Sequence, residues 1–255
     1  MSETMPTPKP PIQVMAHRGW PSTYPENTLL GFEKALELGV EILEFDVRLT
    51  SDKVPVIIHD ATLDRTTTAS GEVGAITAAE LRRVDAGSRK DPSFAGLPVP
   101  TLAETLDLAD RFPAATLNVE LKDATEENCA RTMEALLERG LLQRCVLTSF
   151  DARILHHLKD HWPGVRTQGF PGENMSHFQA GPSGTYSKMD FVGFPASAAT
   201  PARIAEFRAL GIIPGAWCVD TVETLEALPL DELEILTTNN PPWLIQTLRE
   251  KGRRP

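Results

Sequence analysis

Residues 41–60, EILEFDVRLTSDKVPVIIHD, decide how the chain is read. Glu44 and Asp46 are two positions apart in a β-branched and aromatic run, so an extended backbone points both carboxylates to one face. Residues 54–58 form a second extended run that ends in His59 and Asp60. The link at 51–53 is too short for a parallel crossover and suits an antiparallel turn, which brings His59 back to the level of Asp46. Two carboxylates on one sheet face repel, and burial raises a pKa in such a pair unless a cation intervenes. A hard divalent metal is the natural partner. E-x-D alone is more often the polar face of an amphipathic strand, so the choice depends on what the rest of the chain supplies.

Outward from this hairpin, extended and helical patterns alternate. Residues 12–16 read as a strand ending in His17-Arg18-Gly19. After WPSTYPENT, Asn27 or Thr28 caps a helix that carries Leu29, Phe32 and Leu36 and stops at Gly39. Residues 61–100 break the alternation: they are rich in Thr, Gly and Pro, hold one capping box at Thr77 to Glu80 and a short helix over 81–84, and read as an inserted substrate cap. Strands are expected over 116–121, with Asn118, Glu120 and Lys122 on one face, and over 145–150, 165–170, 191–194, 212–219 and 234–238. The Gly-rich segment 171–187 is assigned an abbreviated helix at 176–179.

Nine strands, two of them joined by the tight turn at 51–53, make eight βα units plus one hairpin arm. The expected fold is α/β, a TIM (β/α)8 barrel with an extra hairpin arm and a small insertion after His59-Asp60. One catalytic domain over 12–255 follows a flexible Pro-rich tail, 1–11. A doubly wound sheet would also alternate, but no Gly-rich dinucleotide fingerprint follows the first strand. In a barrel, strand ends converge at one mouth, and they carry His17, Glu44, Asp46, Glu120, Lys122 and Trp217 there.

The net charge of −10 over 255 residues argues against nucleic acid as a partner. An anionic substrate therefore needs a local positive site. No apolar run approaches the ~20 residues of a membrane span, and the first residues lack the apolar core of a signal peptide, so a cytoplasmic protein without an integral membrane segment is expected. Cys129, Cys145 and Cys218 are scattered and read as free thiols. His157 and His161 have the i, i+4 spacing of a metal pair, but without a third ligand they read with His156 as a solvated helix face.

Three carboxylates, Glu44, Asp46 and Glu120, could hold Mg²⁺ or Ca²⁺. Arg18 and Lys122 could neutralise phosphate oxygens, and His17 and His59 could act as general base and general acid in an order left open. Together they describe a site that cleaves phosphodiesters. Asp60, Glu26 and Asn27 read as supporting or capping groups.

HRGWPSTYPENT, EFDVRLTSDKVPVIIHD, LDRTTTASG, PTLAETL, NVELK, LTSF and WCVD, in this order, resemble the glycerophosphodiester phosphodiesterases from about Val14 to the last helix. The resemblance implies a TIM barrel with a small insertion after the HD pair and hydrolysis of glycerophosphodiesters to glycerol 3-phosphate and an alcohol. It implies Glu44, Asp46 and Glu120 as ligands of one divalent cation, His17 and His59 as the acid/base pair, Arg18 and Lys122 as phosphate contacts, and Trp217 against the glycerol. Three departures stand out. Lys53 occupies a turn position that often has Gly, and Cys218 one that more often has Thr, both away from the inferred chemistry. TTNNPP replaces an Asp-containing T-D-x-P, which questions a helix cap or the barrel closure. Two other functions fit the same barrel: a lysophospholipase D-like enzyme acting on lysolipid headgroups, and a non-catalytic barrel that binds phosphate ligands.

Overall fold

The computed structural model describes residues 11–255; the expected tail lies outside the described residues apart from Pro11. Its nine strands are β1 (Gln13–Ala16), β2 (Ile42–Leu49), β3 (Pro55–Ile57), β4 (Thr116–Leu121), β5 (Cys145–Thr148), β6 (Arg166–Gly169), β7 (Phe191–Pro195), β8 (Ile213–Trp217) and β9 (Ile235–Thr238). The sheet order is β1-β9-β8-β7-β6-β5-β4-β2-β3, and β1 also pairs in parallel with β2, which closes a barrel of eight parallel strands. β3 is the hairpin arm, antiparallel to β2 in the register Val47↔Ile57. Helices α1 (Leu29–Glu37), α2 (Ala78–Leu81), α3 (Leu102–Ala109), α4 (Glu126–Glu138), α5 (Ala152–His161), α6 (Pro201–Ala209), α7 (Val222–Glu226) and α8 (Pro241–Glu250) complete the fold. The TIM barrel read from the sequence is the observed architecture.

Strand alternation divides the molecule into layers. On β2, Leu43, Phe45 and Val47 turn outward into the main core beneath the helices, as do Leu117, Val119 and Leu121 on β4. The alternate positions fill the barrel: Met15, Ile42 and Ile235 form a small apolar plug, and Glu44, Asp46, Asn118 and Glu120 follow further along the strands. A strand buried on both faces can therefore carry charge only where that charge finds partners inside the barrel.

Local chemistry places the elements. Thr28 caps α1 by accepting from the Gly31 N–H. Capping boxes start α2 at Thr77/Glu80 and α3 at Thr101/Glu104. Lys53 sits at φ +62°, which explains why glycine suits that turn. Residues 61–100 have a small core of their own, Leu63, Val73, Leu81, Ala86 and Val99 on Val56 and Ile58, so the insertion rests on the hairpin arm. The helix expected at 176–179 is absent: short 3₁₀ turns, Gly172–Asn174 and Thr185–Lys188, take its place. Ser176 instead gives its N–H to the Phe150 carbonyl and forms a bridge with Asp151. Likewise the short helix in the insertion is Ala78–Leu81, because its capping box sets the start earlier than hydrophobicity alone suggests.

Burial pushes the Cys129 and Cys145 thiols up to about 12, as for inert core cysteines. No helix among the described residues is long and apolar enough to cross a membrane.

Candidate active site

At the carboxyl ends of the strands the barrel opens into a cavity of about 190 Å³ lined by, among others, His17, Arg18, Glu44, His59, Glu120, Lys122 and Trp217. Asp46 lies beside it, fully buried and ion-paired with Arg18 and Lys122. All eight residues singled out from the sequence therefore meet at one place. Glu44, Asp46 and Glu120 each offer an oxygen within 4.8 Å of the others, the one cluster of three metal-ligating side chains found among the described residues. His157 and His161 are not part of it, and the His161 Nδ1 lies 2.9 Å from the His157 carbonyl.

Backbone geometry aims these groups. β2 and β4 pair with Glu44↔Asn118 and Asp46↔Glu120 in register, so Asp46 and Glu120 stand side by side and Glu44 stands level with Asn118. Asn118 donates to Gln168 (3.0 Å) and accepts from Thr148 (2.7 Å), so these polar groups satisfy one another. After β1 the chain turns through Arg18 at φ +54° and Gly19 at φ +88°. This turn points the Arg18 N–H at Glu44 Oε2, 2.8 Å away. A Cβ on Gly19 would stand 2.8 Å from the Gly31 carbonyl carbon. Gly19→Ala is therefore expected to cost about 2–3 kcal/mol in urea unfolding and to lower activity by displacing Arg18; unchanged stability would contradict this close packing.

Charge balance in the cavity is tight. Arg18 Nε and Lys122 Nζ each lie 3.2 Å from an Asp46 oxygen, and Lys122 also reaches Glu120 Oε1 at 2.5 Å. Asn27, expected as a supporting or capping group, donates to Asp46 at 2.7 Å. Burial raises all three carboxylates. Glu44, with Asp46 and Glu120 adding to burial, stands well above its ordinary value, and Glu120 is also raised although Lys122 opposes it. Asp46 falls below its ordinary value because Lys122, Arg18 and His59 outweigh burial.

Glu44 Oε1 is buried without a hydrogen-bond partner, and Glu44 has an oxygen within 4.8 Å of those of Asp46 and Glu120. A divalent cation bound by the three carboxylates resolves both the orphaned oxygen and the repulsion, so the residues fit such a group.

Both histidines are held through Nδ1. His59 Nδ1 lies 2.6 Å from Asp60, whose other contacts run to Arg65 and through it to Glu26. Arg65, chiefly, and His59 hold the Asp60 carboxyl well below the usual range. Burial, with Lys122 and Arg18, lowers His59 below an ordinary imidazole despite Asp46 and Asp60. His17 Nδ1 lies 2.8 Å from Asn239 Oδ1. Burial lowers its pKa, but contacts with Cys218 and Asn239 outweigh burial and leave it raised. Cys218, expected away from the inferred site, instead touches it: its Sγ is 3.7 Å from His17 Nδ1. Nor does the Asn pair in TTNNPP supply a helix cap, since Asn240 precedes α8 without a side-chain cap bond and Asn239 serves His17 instead.

One wall is aromatic. Phe150 and Phe170 stack with centroids 3.5 Å apart, and Trp217 meets both edge-on while donating to the Gly193 carbonyl at 3.1 Å. Phe150, Phe170, Gln168 and Thr148 carried no individual signal. They come from strand ends whose side-chain direction depends on barrel closure, although Thr148 and Phe150 lie within the LTSF block.

The glycerophosphoryl diester phosphodiesterase family profile matches residues 17–228, a span containing every one of these eight residues. A glycerophosphodiester phosphodiesterase of Caldanaerobacter subterraneus is 30% identical over 252 residues, 94% of this chain and 98% of that protein. Among solved structures, a phosphodiesterase of Oleispira antarctica in complex with the product sn-glycerol-3-phosphate superimposes with a TM-score of 0.81 at 27% identity, over 94% of this chain and 97% of that one. A glycerophosphodiester phosphodiesterase of Agrobacterium tumefaciens does so with a TM-score of 0.78 at 25% identity, over 90% and 97%. Fold, converging side chains and likeness along almost the whole length lead to one conclusion: the chain belongs to the glycerophosphoryl diester phosphodiesterase family.

Proposed function

We propose that this glycerophosphodiester phosphodiesterase hydrolyses its substrates to glycerol 3-phosphate and an alcohol by proton transfer at His17 and His59, with one divalent cation, Mg²⁺ or Ca²⁺, held by Glu44, Asp46 and Glu120. The observation that carries this is the meeting of three buried carboxylates and two Nδ1-anchored imidazoles at one small cavity. When bound, the cation supplies positive charge for the non-bridging phosphoryl oxygens.

The chain's own residues do the rest. Each imidazole has Nδ1 engaged, which leaves Nε2 to exchange protons. One histidine takes the proton of the attacking hydroxyl, from water or from the glycerol 2-OH, and the other protonates the departing alkoxide; where the 2-OH attacks, water then opens the cyclic phosphate, with the two histidines exchanging roles, to give glycerol 3-phosphate. Arg18 and Lys122 add positive charge beside the phosphate, and Trp217 with Phe150 and Phe170 packs against glycerol carbons. Residues 61–100 act as a cap: Lys90 Nζ reaches the Pro21 carbonyl at 2.7 Å and Phe94 rests against Tyr24, so the insertion leans on the β1 loop that carries Arg18. That contact occupies the apolar rim a lysolipid would need, which favours small glycerophosphodiesters.

Glu44 provides a test of the cation site. In the metal-free protein its raised pKa means that the folded chain keeps a proton which the unfolded chain releases above about pH 4.3, so stability falls as pH rises through that window. Glu44→Gln keeps an acceptor for the Arg18 N–H and turns an NH₂ toward the other carboxylates. The expected result is a Tm about 2–4 °C higher without metal at neutral pH, with the rise in Tm on adding Mg²⁺ or Ca²⁺ abolished. A variant that is still stabilised by metal like the unaltered protein would exclude Glu44 as a ligand.

A further inference from the structure

We propose, on the reading of His17 as a proton-transfer group, that Asn239 is a positioning residue which, oriented by Asp220, locks the His17 ring as the Nδ1–H tautomer and so confines its proton exchange to Nε2. Three neighbouring strand ends create the arrangement. His17 follows β1, Asn239 follows β9 and Asp220 lies beyond β8, and in the closed sheet β9 stands between the other two. Backbone bonds hold the frame: the His17 N–H donates to the Thr238 carbonyl at 3.0 Å and the Val219 N–H to the Thr237 carbonyl at 2.8 Å.

A side-chain amide can present either its oxygen or its NH₂, so the contact between Asn239 and His17 does not by itself say where the imidazole proton lies. Asp220 decides it. Its Oδ1 accepts from the Thr238 hydroxyl (2.8 Å) and the Asn239 N–H (2.7 Å), and its Oδ2 lies 2.6 Å from Asn239 Nδ2. Only a donor fits against that second oxygen, so the Asn239 NH₂ must face Asp220. Asn239 Oδ1 is left for His17, 2.8 Å away, and an oxygen without a hydrogen requires that Nδ1 carry one. The relation holds for the neutral ring and the imidazolium alike. The partner is a neutral amide, whereas His59 has a carboxylate, Asp60, in the corresponding place.

The pair makes a prediction that runs against additivity. In Asp220→Asn the new amide keeps its oxygen for Thr238 and the Asn239 N–H, because turning over would set NH₂ against N–H. Its NH₂ then faces Asn239, which must turn its own oxygen back and offer NH₂ to His17. The ring is forced to the Nε2–H tautomer, so Nε2 of the neutral ring cannot take up a proton and the imidazolium loses the acceptor for its Nδ1–H. Adding Asn239→Asp reverses this: the carboxylate now lies between the amide and the ring, accepts from both, and restores Nδ1–H.

The test combines ¹⁵N NMR of the neutral His17 ring in the substrate-free protein, assigned by loss of its signal in His17→Ala, with kcat and KM for glycerol 3-phosphate release. The unaltered protein is expected to show Nδ1–H. Asp220→Asn should show Nε2–H, with kcat about 100-fold lower and KM within about threefold. The Asp220→Asn/Asn239→Asp pair should recover Nδ1–H and bring kcat back to within about tenfold of the unaltered protein. A merely structural role for the two residues makes the double variant no better than the single one. Release of glycerol 3-phosphate by an unaltered protein whose His17 carries its proton on Nε2, or a double variant without rescue, overturns the role of Asn239 while the functional reading stands. No release by the unaltered protein overturns that reading and the proposed role with it.

Discussion

Alanine in place of His17 or His59 is expected to lower kcat for glycerol 3-phosphate release by about 10²–10⁴-fold, the range over which a positioned acid or base contributes. Neither ring is part of the apolar core. His17 packs beside Asn239 and Cys218 at the cavity wall, and His59 is partly exposed on Asp60, so the folded population should change little. KM should move far less than kcat, because a proton transferred in the transition state contributes little to ground-state binding. The two losses should not multiply in the double variant, since both groups serve one reaction coordinate. Steady-state kinetics beside a urea titration checks this. A His17→Ala protein that is folded and within tenfold of full activity would remove His17 from the chemistry.

Asp46→Asn is expected to combine loss of activity with loss of stability. Asp46 is fully buried, and its carboxylate lies 3.2 Å from both Arg18 Nε and Lys122 Nζ and 2.7 Å from Asn27 Nδ2. An amide cannot accept at both ends. One of the two cations loses its Asp46 contact, leaving Arg18 only Glu26 or Lys122 only Glu120, and the loss of a charge-assisted bond of this kind costs about 1.5–3 kcal/mol. The same change removes one of the three proposed cation ligands, so activity should fall by more than about 10³-fold at any Mg²⁺ or Ca²⁺ concentration tested. Urea unfolding with and without metal separates the two effects. Stability within about 1 kcal/mol of the unaltered protein would show that Arg18 and Lys122 do not depend on Asp46.

Much of this site was legible in the sequence because strand periodicity is a strict rule. Once residues 42–49 are extended, Glu44 and Asp46 must share a face, and the short turn at 51–53 leaves His59 nowhere to go but beside them. Glu120 and Lys122 followed from the same alternation on β4. What escaped depends on closure between distant strands. Asn239 lies 222 positions from His17 in sequence, and only the pairing of β9 with β1 brings them together. Read locally, the same residue looked like part of a helix cap. Arg65 was likewise invisible, since its bonds to Glu26 and Asp60 require the insertion to fold back over the β1 loop. The helix expected at 176–179 failed for a different reason: the Ser176 N–H and carbonyl found partners at the Phe150 carbonyl and the Ala152 N–H that no local pattern encodes.

The most direct measurement is glycerol 3-phosphate release from glycerophosphocholine and glycerophosphoethanolamine, with EDTA and with added Mg²⁺ or Ca²⁺, beside His17→Ala. Release that requires the cation, is abolished by EDTA and is lost in the variant is the predicted result. Release that persists in EDTA, or that His17→Ala retains in full, would contradict a cation held by Glu44, Asp46 and Glu120 and proton transfer at His17.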